Sequence, residues 1–501
     1  MGQVQVGEDG ADDGRIGEEG EDPHLATAAR AQDAARLEGP ATRTSESRVV
    51  ESGSGLMEVP GVGEANAPGR GGRRRRPDRW RFVDRSSARV PLSRLTKMRR
   101  AFVALVVVAA ACAPAEDAQG PITLRTQVGD TTIVRSMAPG PWGERAGMVE
   151  ELRIGVLEGA EEYQFGLINE IAIDDSGGIY VFDGQVPALR YYDSSGAYIR
   201  TIGSEGQGPG EYLDASLGIV IRSDGRVVMR DPRNMRMNVY NPDGSHSDSW
   251  RVNSGLYTGN ATASDTADHL FLKILTGSPE PDKPWPVALL HLDDEGQIVD
   301  TLVPPSLPNE PEGPGGRLMP SKQWVYSPLG GFVAGVSNTY AINHFRNDGT
   351  VLRVERDLQP VQLDPEEKAE LEAVNDWLWE QQGQFMTSEL PPIPDQKPLF
   401  GSIMVGEDGR TWVRRHVAAV KDTTIEVPDA SDPDARPVVT WIEPTIYDVF
   451  EPGGEWLGSV EAPRRTSLRV LRGDQAWGVR RGEFNENYVV RFRIEPSVQG
   501  G

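Results

Sequence analysis

Short apolar runs alternate with turns rich in Asp and Gly along most of the chain beyond residue 150. In the clearest unit, apolar runs occupy residues 171–173, 179–183, 189–192 and 198–202, and Asp-Asp-Ser-Gly and Asp-Ser-Ser-Gly turns lie among them. The runs are rich in Ile, Val, Tyr and Phe, which favour strands, whereas the turn residues favour tight reversals of the chain. This pattern predicts a unit of four antiparallel strands.

The unit recurs through the rest of the chain. Gly178 and Gly225 occupy the same place in the first two copies, so the number of residues between them gives the length of one repeat. Further copies lie at residues 218–244, 268–296, 330–349, 402–454 and 468–494. Four strands at a period of about 40 to 50 residues are typical of a β-propeller blade, whose apolar faces are covered by neighbouring blades. Six copies predict an all-β fold, a six-bladed β-propeller over residues 150–496.

The two ends of the repeat predict how the ring closes. The last copy lacks a clear fourth strand, and an apolar run at residues 151–157 precedes the first copy. We expect this N-terminal strand to pair into the last blade, because a closed ring leaves fewer exposed sheet edges. Residues 122–126 and 131–135 predict a separate hairpin, which lies within a linker at residues 113–149.

Two segments interrupt the period. Residues 303–321 are rich in Pro and Gly and predict a long loop, whereas residues 364–383 predict a helix inserted between blades. Asp364 is a suitable N-cap and Pro365 suits the first turn, while Leu371 and Val374 share one face with Leu378. Such a helix either covers a pocket or acts as a clip that fills a groove, and we favour the clip.

A targeting signal is predicted well inside the chain. A short basic stretch at residues 97–100 precedes the apolar run at residues 101–111, and Cys112 follows it. The run is too short to cross a bilayer, which takes about 20 apolar residues, but it suits the core of a signal peptide. Residues 98–112 therefore predict a signal peptide that starts at Met98. Residues 1–97 are then an upstream extension without apolar periodicity, which we expect to be disordered.

Residues 109–112, Ala-Ala-Ala-Cys, resemble the lipobox of bacterial lipoproteins, with Ala109 where leucine is usual. The resemblance implies that Cys112 carries lipid chains, which together anchor a soluble domain at a membrane. It implies secretion across the inner membrane and, because Ala113 is not aspartate, an outer-membrane location in the cell envelope. The membrane is then a partner through the lipid anchor only. The alternative is a buried apolar strand that ends in cysteine.

Charge and cysteine content exclude some functions. The formal net charge of −23 repels phosphate backbones, so nucleic acid is not an expected partner, and the basic run at residues 73–76 lies in the upstream extension. Because the chain has one cysteine, it forms no intrachain disulfide and no cysteine metal cage.

The first two copies resemble NHL-type repeats of six-bladed propellers. The matching residues are the Ile-Tyr-Val-Phe-Asp run at 179–183, the Arg-Tyr-Tyr-Asp strand at 190–193 and the glycine-rich connector at 202–212. Bacterial lipoproteins of this architecture form a recognisable group without a common activity. Related propellers include lactonases, lyases and protein-binding modules, so the resemblance implies the fold and leaves the function open.

No segment of the sequence indicates a cofactor. Residues 206–210, Gly-Gln-Gly-Pro-Gly, lack the Lys-Ser/Thr ending of a phosphate loop and fit an inter-blade turn. The histidines beyond Cys112 show no spacing typical of a local metal site, and most acidic residues lie in turns. We therefore predict neither a cofactor nor a metal, although a lactonase-like enzyme would need oxygen or imidazole ligands that converge on the axis.

Equivalent positions in the blades carry aromatic residues and, beyond them, cations. We assign the aromatic residues to packing between blades: Tyr180, Phe271, Phe332, Trp412 and Trp477. The cations follow at the end of the same strand: Arg230, Lys273, Arg414, Arg415, Arg480 and Arg481. In an acidic protein, a partial ring of cations on one face would attract an anionic ligand. The competing interpretation is a set of salt bridges between blades.

The sequence thus favours a binding module over an enzyme. The leading hypothesis is a cell-envelope lipoprotein that binds a partner protein, a glycan or a small anionic ligand on one propeller face. The second is a lactonase- or lyase-like propeller with an axial metal, and the third is a non-catalytic structural surface protein.

Overall fold

The computed structural model describes residues 123–496, except for residue 217 and residues 253–261, 278–285, 313–314, 384–388 and 429–434. The predictions for residues 1–97, for the signal peptide at 98–112 and for lipidation of Cys112 therefore lie outside the described residues.

Six blades, each built on four antiparallel strands, form the propeller; the first three are separate sheets, the fourth is extended by two more strands, and the fifth and sixth are joined in one sheet. Blade one contains β4 (Ile168–Ile173), β5 (Ile179–Asp183), β6 (Ala188–Tyr192) and β7 (Tyr198–Ile202). Blade two contains β10 (Ile219–Ile221), β11 (Val227–Asp231), β12 (Arg236–Tyr240) and β13 (His246–Trp250). Blade three contains β14 (Thr262–Ser264), β15 (Leu270–Leu275), β16 (Val287–Leu292) and β17 (Ile298–Leu302).

The remaining blades follow in the same order. Blade four contains β18 (Lys322–Tyr326), β19 (Phe332–Val336), β20 (Ala341–Phe345) and β21 (Val351–Glu355). Blade five contains β22 (Phe400–Val405), β23 (Thr411–Arg415), β26 (Ile446–Phe450) and β27 (Trp456–Glu461). Blade six contains β28 (Thr466–Arg472), β29 (Gln475–Arg481), β30 (Asn487–Glu495) and, from upstream, β3 (Gly143–Ile154). Short pairs join β8 (Ser204–Glu205) to β9 (Glu211–Tyr212) and β24 (Val420–Lys421) to β25 (Trp441–Ile442).

Aspartate side chains shape the tight turns that the sequence pattern predicted. Asp174 Oδ1 accepts hydrogen bonds from the backbone N–H groups of Ser176 and Gly178, at 2.9 and 2.7 Å. Gly177, between them, has a φ of 84°, a conformation that favours glycine. A similar turn recurs at Asp193, whose carboxylate accepts from the backbone of Ser195. The repeated Asp-and-Gly pattern is therefore explained by turn geometry.

The predicted closing strand is confirmed, and it is longer than expected. The second half of β3 pairs antiparallel with β30, for example Met148 with Ile494 and Ile154 with Val489. Its first residues pair in parallel with β27, where Gly143 lies opposite Gly458. The strand therefore begins inside the predicted linker, because its first half covers the outer edge of blade five.

The predicted hairpin forms, but it is not separate from the propeller. Strands β1 (Thr123–Val128) and β2 (Thr131–Ser136) pair around Gly129. In addition β2 pairs in parallel with β21, which widens blade four to six strands. The expectation of an independent hairpin was wrong because the outer edge of β21 offers unpaired backbone groups, and β2 satisfies them.

Apolar clusters fill the spaces between blades. Tyr180 packs between blades one and two, Trp412 between blades five and six, and Trp477 between blades six and one. Their assignment to packing is confirmed. Phe271 and Phe332 belong to one cluster between blades three and four. The Phe332 side chain therefore points towards the preceding blade, whereas the other four aromatic side chains point towards the following blade. The assumed equivalence of Phe332 to the other aromatics was wrong by one residue, and one residue reverses the side of a strand.

The long connections that the structure describes lie on one face of the propeller, which we call the loop-rich face. The second and fourth strands of every blade end there, so it carries residues 303–312, 315–321, 356–383, 389–399, 416–428 and 435–445. The predicted long loop contains no helix or strand at residues 303–312 and 315–321, the part that the structure describes. The opposite face carries mostly short turns.

The predicted helix is confirmed as α1 (Pro365–Gln382) on the loop-rich face. The side chain of Asp364 accepts a hydrogen bond from the backbone N–H of Glu366 and caps the helix. Leu371 is buried against Leu363 and Ile393 of the same insertion. Among the described residues, no helix is both long and apolar enough to span a bilayer.

Candidate ligand-binding cleft

Two adjoining clefts open on the loop-rich face, where blade five meets the insertion that contains α1. The first, which we call the Arg415 cleft, has a volume of about 190 Å³ and is lined by Leu358, Gln359, Val361 and residues 398–399 and 415–418. The second, the helix cleft, has a volume of about 320 Å³ and is lined by residues 362–365, Glu367, residues 418–419 and Trp441. Ligand sites usually measure about 300 to 1,000 Å³. The helix cleft lies at the lower end of that range, and the Arg415 cleft is smaller, of a size for a small ligand.

A bulge in the first strand of blade five makes room for His416. Strand β22 shifts register between Phe400 and Ser402, which leaves Gly401 as the extra residue. A Cβ atom at position 401 would lie 3.0 Å from His416 Nε2. In blade one the corresponding bulge residue is Asn169, and its side chain lies against Gly184. Blade five thus reverses the arrangement: the glycine is the bulge residue of the first strand, and the larger side chain, the imidazole, follows the second strand.

A buried carboxylate holds the His416 ring. The distances from His416 Nδ1 to Glu443 Oε1 and Oε2 are 3.0 and 3.2 Å. Because a carboxylate only accepts hydrogen bonds, Nδ1 carries the proton and Nε2 is the free basic nitrogen. Among the described residues, no hydrogen bond reaches Nε2. The ring is 11% exposed, and that exposure is towards the Arg415 cleft.

Lys397 connects this carboxylate to the helix. The Lys397 ammonium lies 3.1 Å from Glu443 Oε2 and 2.7 Å from Glu367 Oε1 of α1, and its side chain is 1% exposed. The backbone N–H of Val417 also donates to Glu443 Oε1, at 2.8 Å. Burial alone would raise the pKa of Glu443, but the hydrogen bond from His416, the charge of Lys397 and the backbone hydrogen bond from Val417 outweigh it and lower that pKa.

Arg415 brings positive charge to the same cleft. Its Nε lies 4.0 Å from Oδ1 of Asp448, a fully buried carboxylate. Asp448 is already satisfied by Tyr340 Oη at 2.8 Å, Ser459 Oγ at 2.6 Å and the guanidinium of Arg356. Arg415 Nε is buried and has no hydrogen-bond partner. One carboxylate therefore faces two guanidinium groups at this end of the cleft, whereas Glu367 and Glu443 share the single ammonium of Lys397 at the other end, so the positive charge is local to Arg415.

The other predicted cations lie elsewhere. Arg230 is buried and donates to the carbonyl oxygen of Lys273 at 3.2 Å, and burial lowers its pKa to about 10. The Lys273 ammonium lies 5.0 Å from the ring centre of Trp324 in blade four. Burial lowers the pKa of Lys273 as well. Both side chains therefore extend between blades.

In blades five and six the predicted cations also differ in their surroundings. Arg414 projects to the opposite side of its strand from Arg415, near Tyr447. Arg480 pairs with Glu150 of β3 at 2.9 Å, whereas Arg481 is exposed. Of the six predicted cations, only Arg415 lines either of the two clefts.

Sequence patterns missed most of the cleft. Lys397, Glu443 and Asp448 lie in different segments, and no local spacing links them to His416. The only available signal was the pair Arg415–His416 directly after a buried strand. Among the described residues, no cluster of three or more His, Cys, Asp or Glu side chains could hold a metal ion.

Comparisons with known proteins agree with the architecture. Residues 148–304 match the family model DUF5128, described as a 6-bladed beta-propeller. This chain is a six-bladed β-propeller. No curated protein sequence matches it.

Several solved structures align with about 70% of this chain at low sequence identity. A DUF4221 family member from Bacteroides vulgatus is 12% identical, with 71% of this chain and 99% of that chain covered and a TM-score of 0.43. Virginiamycin B lyase from Staphylococcus aureus is 11% identical, with 68% and 99% covered and a TM-score of 0.34. The calcium-binding protein regucalcin from Agrobacterium tumefaciens is 10% identical, with 70% and 97% covered and a TM-score of 0.33. These similarities do not assign a function to this chain.

Proposed function

We propose that this propeller is a cell-envelope protein that binds a small carboxylate in the Arg415 cleft. The observation that carries the proposal is the Arg415 side chain, which lines the cleft and has a buried Nε without a partner. Because Arg356 already neutralises Asp448, an incoming anion would supply the second negative charge that the two guanidinium groups lack.

The chemistry of the cleft favours a carboxylate among anions. A guanidinium presents N–H donors in a planar fork that matches two carboxylate oxygens, and the pairing gains strength where water is excluded. Apolar walls at Leu358, Val361 and Leu399 suit a small organic group beside the charge. The net charge of −23 makes a local cationic site selective, because most of the surface repels anions.

The envelope location is part of this proposal and comes from the lipobox-like residues 109–112. Lipid chains on Cys112 would anchor the propeller, and the outer membrane is the expected site. The sequence also left a partner protein, a glycan and a purely structural role open. We favour the carboxylate because the cleft offers a guanidinium that shares its one carboxylate, Asp448, with Arg356 and whose buried Nε has no hydrogen-bond partner.

Binding can be measured directly with simple anions. We would record the thermal unfolding midpoint of the full chain in sodium acetate, sodium succinate and sodium phosphate, at constant ionic strength set with sodium chloride. At least one carboxylate should raise the midpoint by a few degrees, because ligands that bind only the native state stabilise it. The Arg415→Gln variant should lose this shift.

Arg481→Gln is the comparison variant, because Arg481 is an exposed cation on the same face. It should keep the full carboxylate-induced shift. Loss of the shift in both variants would instead support the broader ring of cations. If wild type shows no shift with acetate or succinate, the proposal is wrong.

A further inference from the structure

We propose that the Arg415 cleft is also the active site of an esterase, in which His416 acts as a general base towards water and small esters are the substrates. This inference rests on the proposed function, because the carboxylate that Arg415 binds would be the product of the hydrolysis. It is carried by the arrangement of His416 and Glu443.

The imidazole is held as a general base requires. Glu443 accepts a hydrogen bond from His416 Nδ1, at an Nδ1–Oε1 distance of 3.0 Å. The carboxylate is itself held in place by Lys397 and by the backbone N–H of Val417. This fixes the tautomer that leaves Nε2 unprotonated, and it stabilises the imidazolium that forms when Nε2 takes a proton. A side chain at position 401 would press on Nε2, and the glycine there leaves that edge of the ring open.

The attacking group has to be water. No Ser, Thr or Cys is among the described residues that line the cleft, so the protein offers no nucleophile of its own there. His416 Nε2 accepts a proton from the water as its oxygen bonds to the ester carbonyl carbon, and the carbonyl electron pair moves onto oxygen. When the tetrahedral intermediate collapses, the bond to the alcohol oxygen breaks, and His416 returns the proton to that oxygen. The products are an alcohol and an acid that releases its proton to solvent.

Arg415 supports this reaction and disfavours the main alternative. Its N–H groups can stabilise the negative charge on the carbonyl oxygen of the intermediate. Proton abstraction from carbon next to a carboxylate would build a second negative charge, and a single arginine beside an imidazole base gives little stabilisation for it. Addition of water to a neutral ester builds only one negative charge, which matches the one cation that Asp448 leaves unneutralised.

The test uses the purified full chain with three probes: p-nitrophenyl acetate, p-nitrophenyl butyrate and γ-butyrolactone. Wild type should hydrolyse at least one of them well above buffer, and acetate or butyrate should inhibit competitively. His416→Gln should lower kcat about 100-fold, within the range that general bases supply. His246→Gln is the matched control, because His246 is exposed on blade two and supplies the non-specific reactivity of a surface imidazole.

Three further variants separate chemistry from folding. Added imidazole should restore part of the activity of His416→Gly, which a merely structural histidine would not show. Glu443 is a positioning residue, so Glu443→Gln should lower kcat more than it raises KM, and Glu443→Asp should recover part of the loss. Unfolding midpoints identify any variant that fails to fold.

The outcomes distinguish the two proposals. If carboxylates bind through Arg415 but none of the three probes is hydrolysed, the proposed function stands and the esterase is wrong. Equal loss of hydrolysis in His416→Gln and His246→Gln also rules out the esterase, as does a His416→Gly variant that folds but does not respond to imidazole. If neither carboxylate binding nor hydrolysis occurs, both proposals fail.

Discussion

At the scale of single residues, Gly401 determines where the His416 ring can lie. The bulge in β22 gives this position no cross-strand partner, and a Cβ there would approach Nε2 to 3.0 Å. A larger side chain would push the imidazole away from Glu443. Gly401 is therefore needed because its missing side chain leaves space for the His416 ring.

We expect Gly401→Val to lower the free energy of unfolding by about 1 to 3 kcal/mol, the usual cost of overpacking, and to abolish the carboxylate-induced rise in the unfolding midpoint. Gly315→Ala is a suitable control, because nothing lies within 4 Å of a Cβ at that loop position. Thermal and denaturant unfolding with and without acetate measure both effects. A Gly401→Val variant with unchanged acetate binding would contradict this account of the bulge.

A second residue-scale prediction concerns His344, which lies inside the propeller near Thr411. Burial lowers its pKa from 6.5 to about 4. Between pH 6.5 and pH 4 the histidine is therefore protonated in the unfolded chain but neutral in the native protein. The contribution of His344 to the free energy of unfolding falls as the pH falls through this range. From pH 7.5 to pH 5 the loss should reach at most about 2 kcal/mol.

Urea unfolding of wild type and His344→Gln at pH 7.5 and pH 5 isolates that contribution, since the other titrating groups are common to both proteins. The variant should lose less stability on acidification than wild type. His246→Gln, which changes an exposed histidine, should behave as wild type does. Equal acid sensitivity of wild type and His344→Gln would show that His344 is not held neutral by burial.

At the scale of elements, α1 both packs into a groove as a clip and lines the helix cleft. Leu371 and Val374 are buried, and Glu367 joins the helix to Lys397 at 2.7 Å. The first turn also lines the helix cleft through Asp364 and Pro365. The two functions considered for the helix are therefore compatible, because its apolar stripe fixes it while its N-terminal end stays at the surface.

Lys397→Met should release the helix. The substitution leaves Glu367 and Glu443 buried without their shared cation, and breaking a buried ion pair typically costs about 3 to 5 kcal/mol. Hydrogen exchange should show faster exchange over residues 365–382, with little change in the blade-one strands. Lys368→Met removes a more exposed ion pair to Asp395 and should leave exchange in α1 nearly unchanged. Unaltered protection in Lys397→Met would contradict the clip.

At the scale of the whole molecule, β3 joins the two ends of the domain. It pairs with β27 of blade five and with β30 of blade six, so a strand from the start of the domain closes the ring at its end. Closure places the first strands of neighbouring blades around one centre and the long connections on one face. The cleft depends on this arrangement, because its lining comes from the insertion after blade four and from blade five.

The envelope location is also a prediction about the whole molecule. In a Gram-negative host, the full chain should partition into the detergent phase of a Triton X-114 extraction and incorporate labelled palmitate. Cys112→Ser should do neither and should stay in the aqueous phase, because lipid chains supply most of the membrane affinity of such proteins. Detergent partitioning of Cys112→Ser equal to that of wild type would rule out lipid anchoring at this residue.

The sequence by itself determined the repeat, the turns, the inserted helix and the closing strand. These features depend on local chemistry, such as the Asp and Gly residues of the turns and the Asp364 cap, and local chemistry is visible in a single chain. A repeat of strand-rich units has few ways to bury its faces, so the blade count followed from the number of copies.

Only the tertiary structure decided the cleft and the directions of the side chains. A shift of one residue turned Phe332 towards blade three, and neighbouring positions on β23 send Arg414 and Arg415 to opposite sides. Lys397, His416 and Glu443 meet because two long connections fold over the same face, and periodicity does not encode the path of a connection. The balance of charge around Asp448, on which ligand binding depends, exists only after those segments come together.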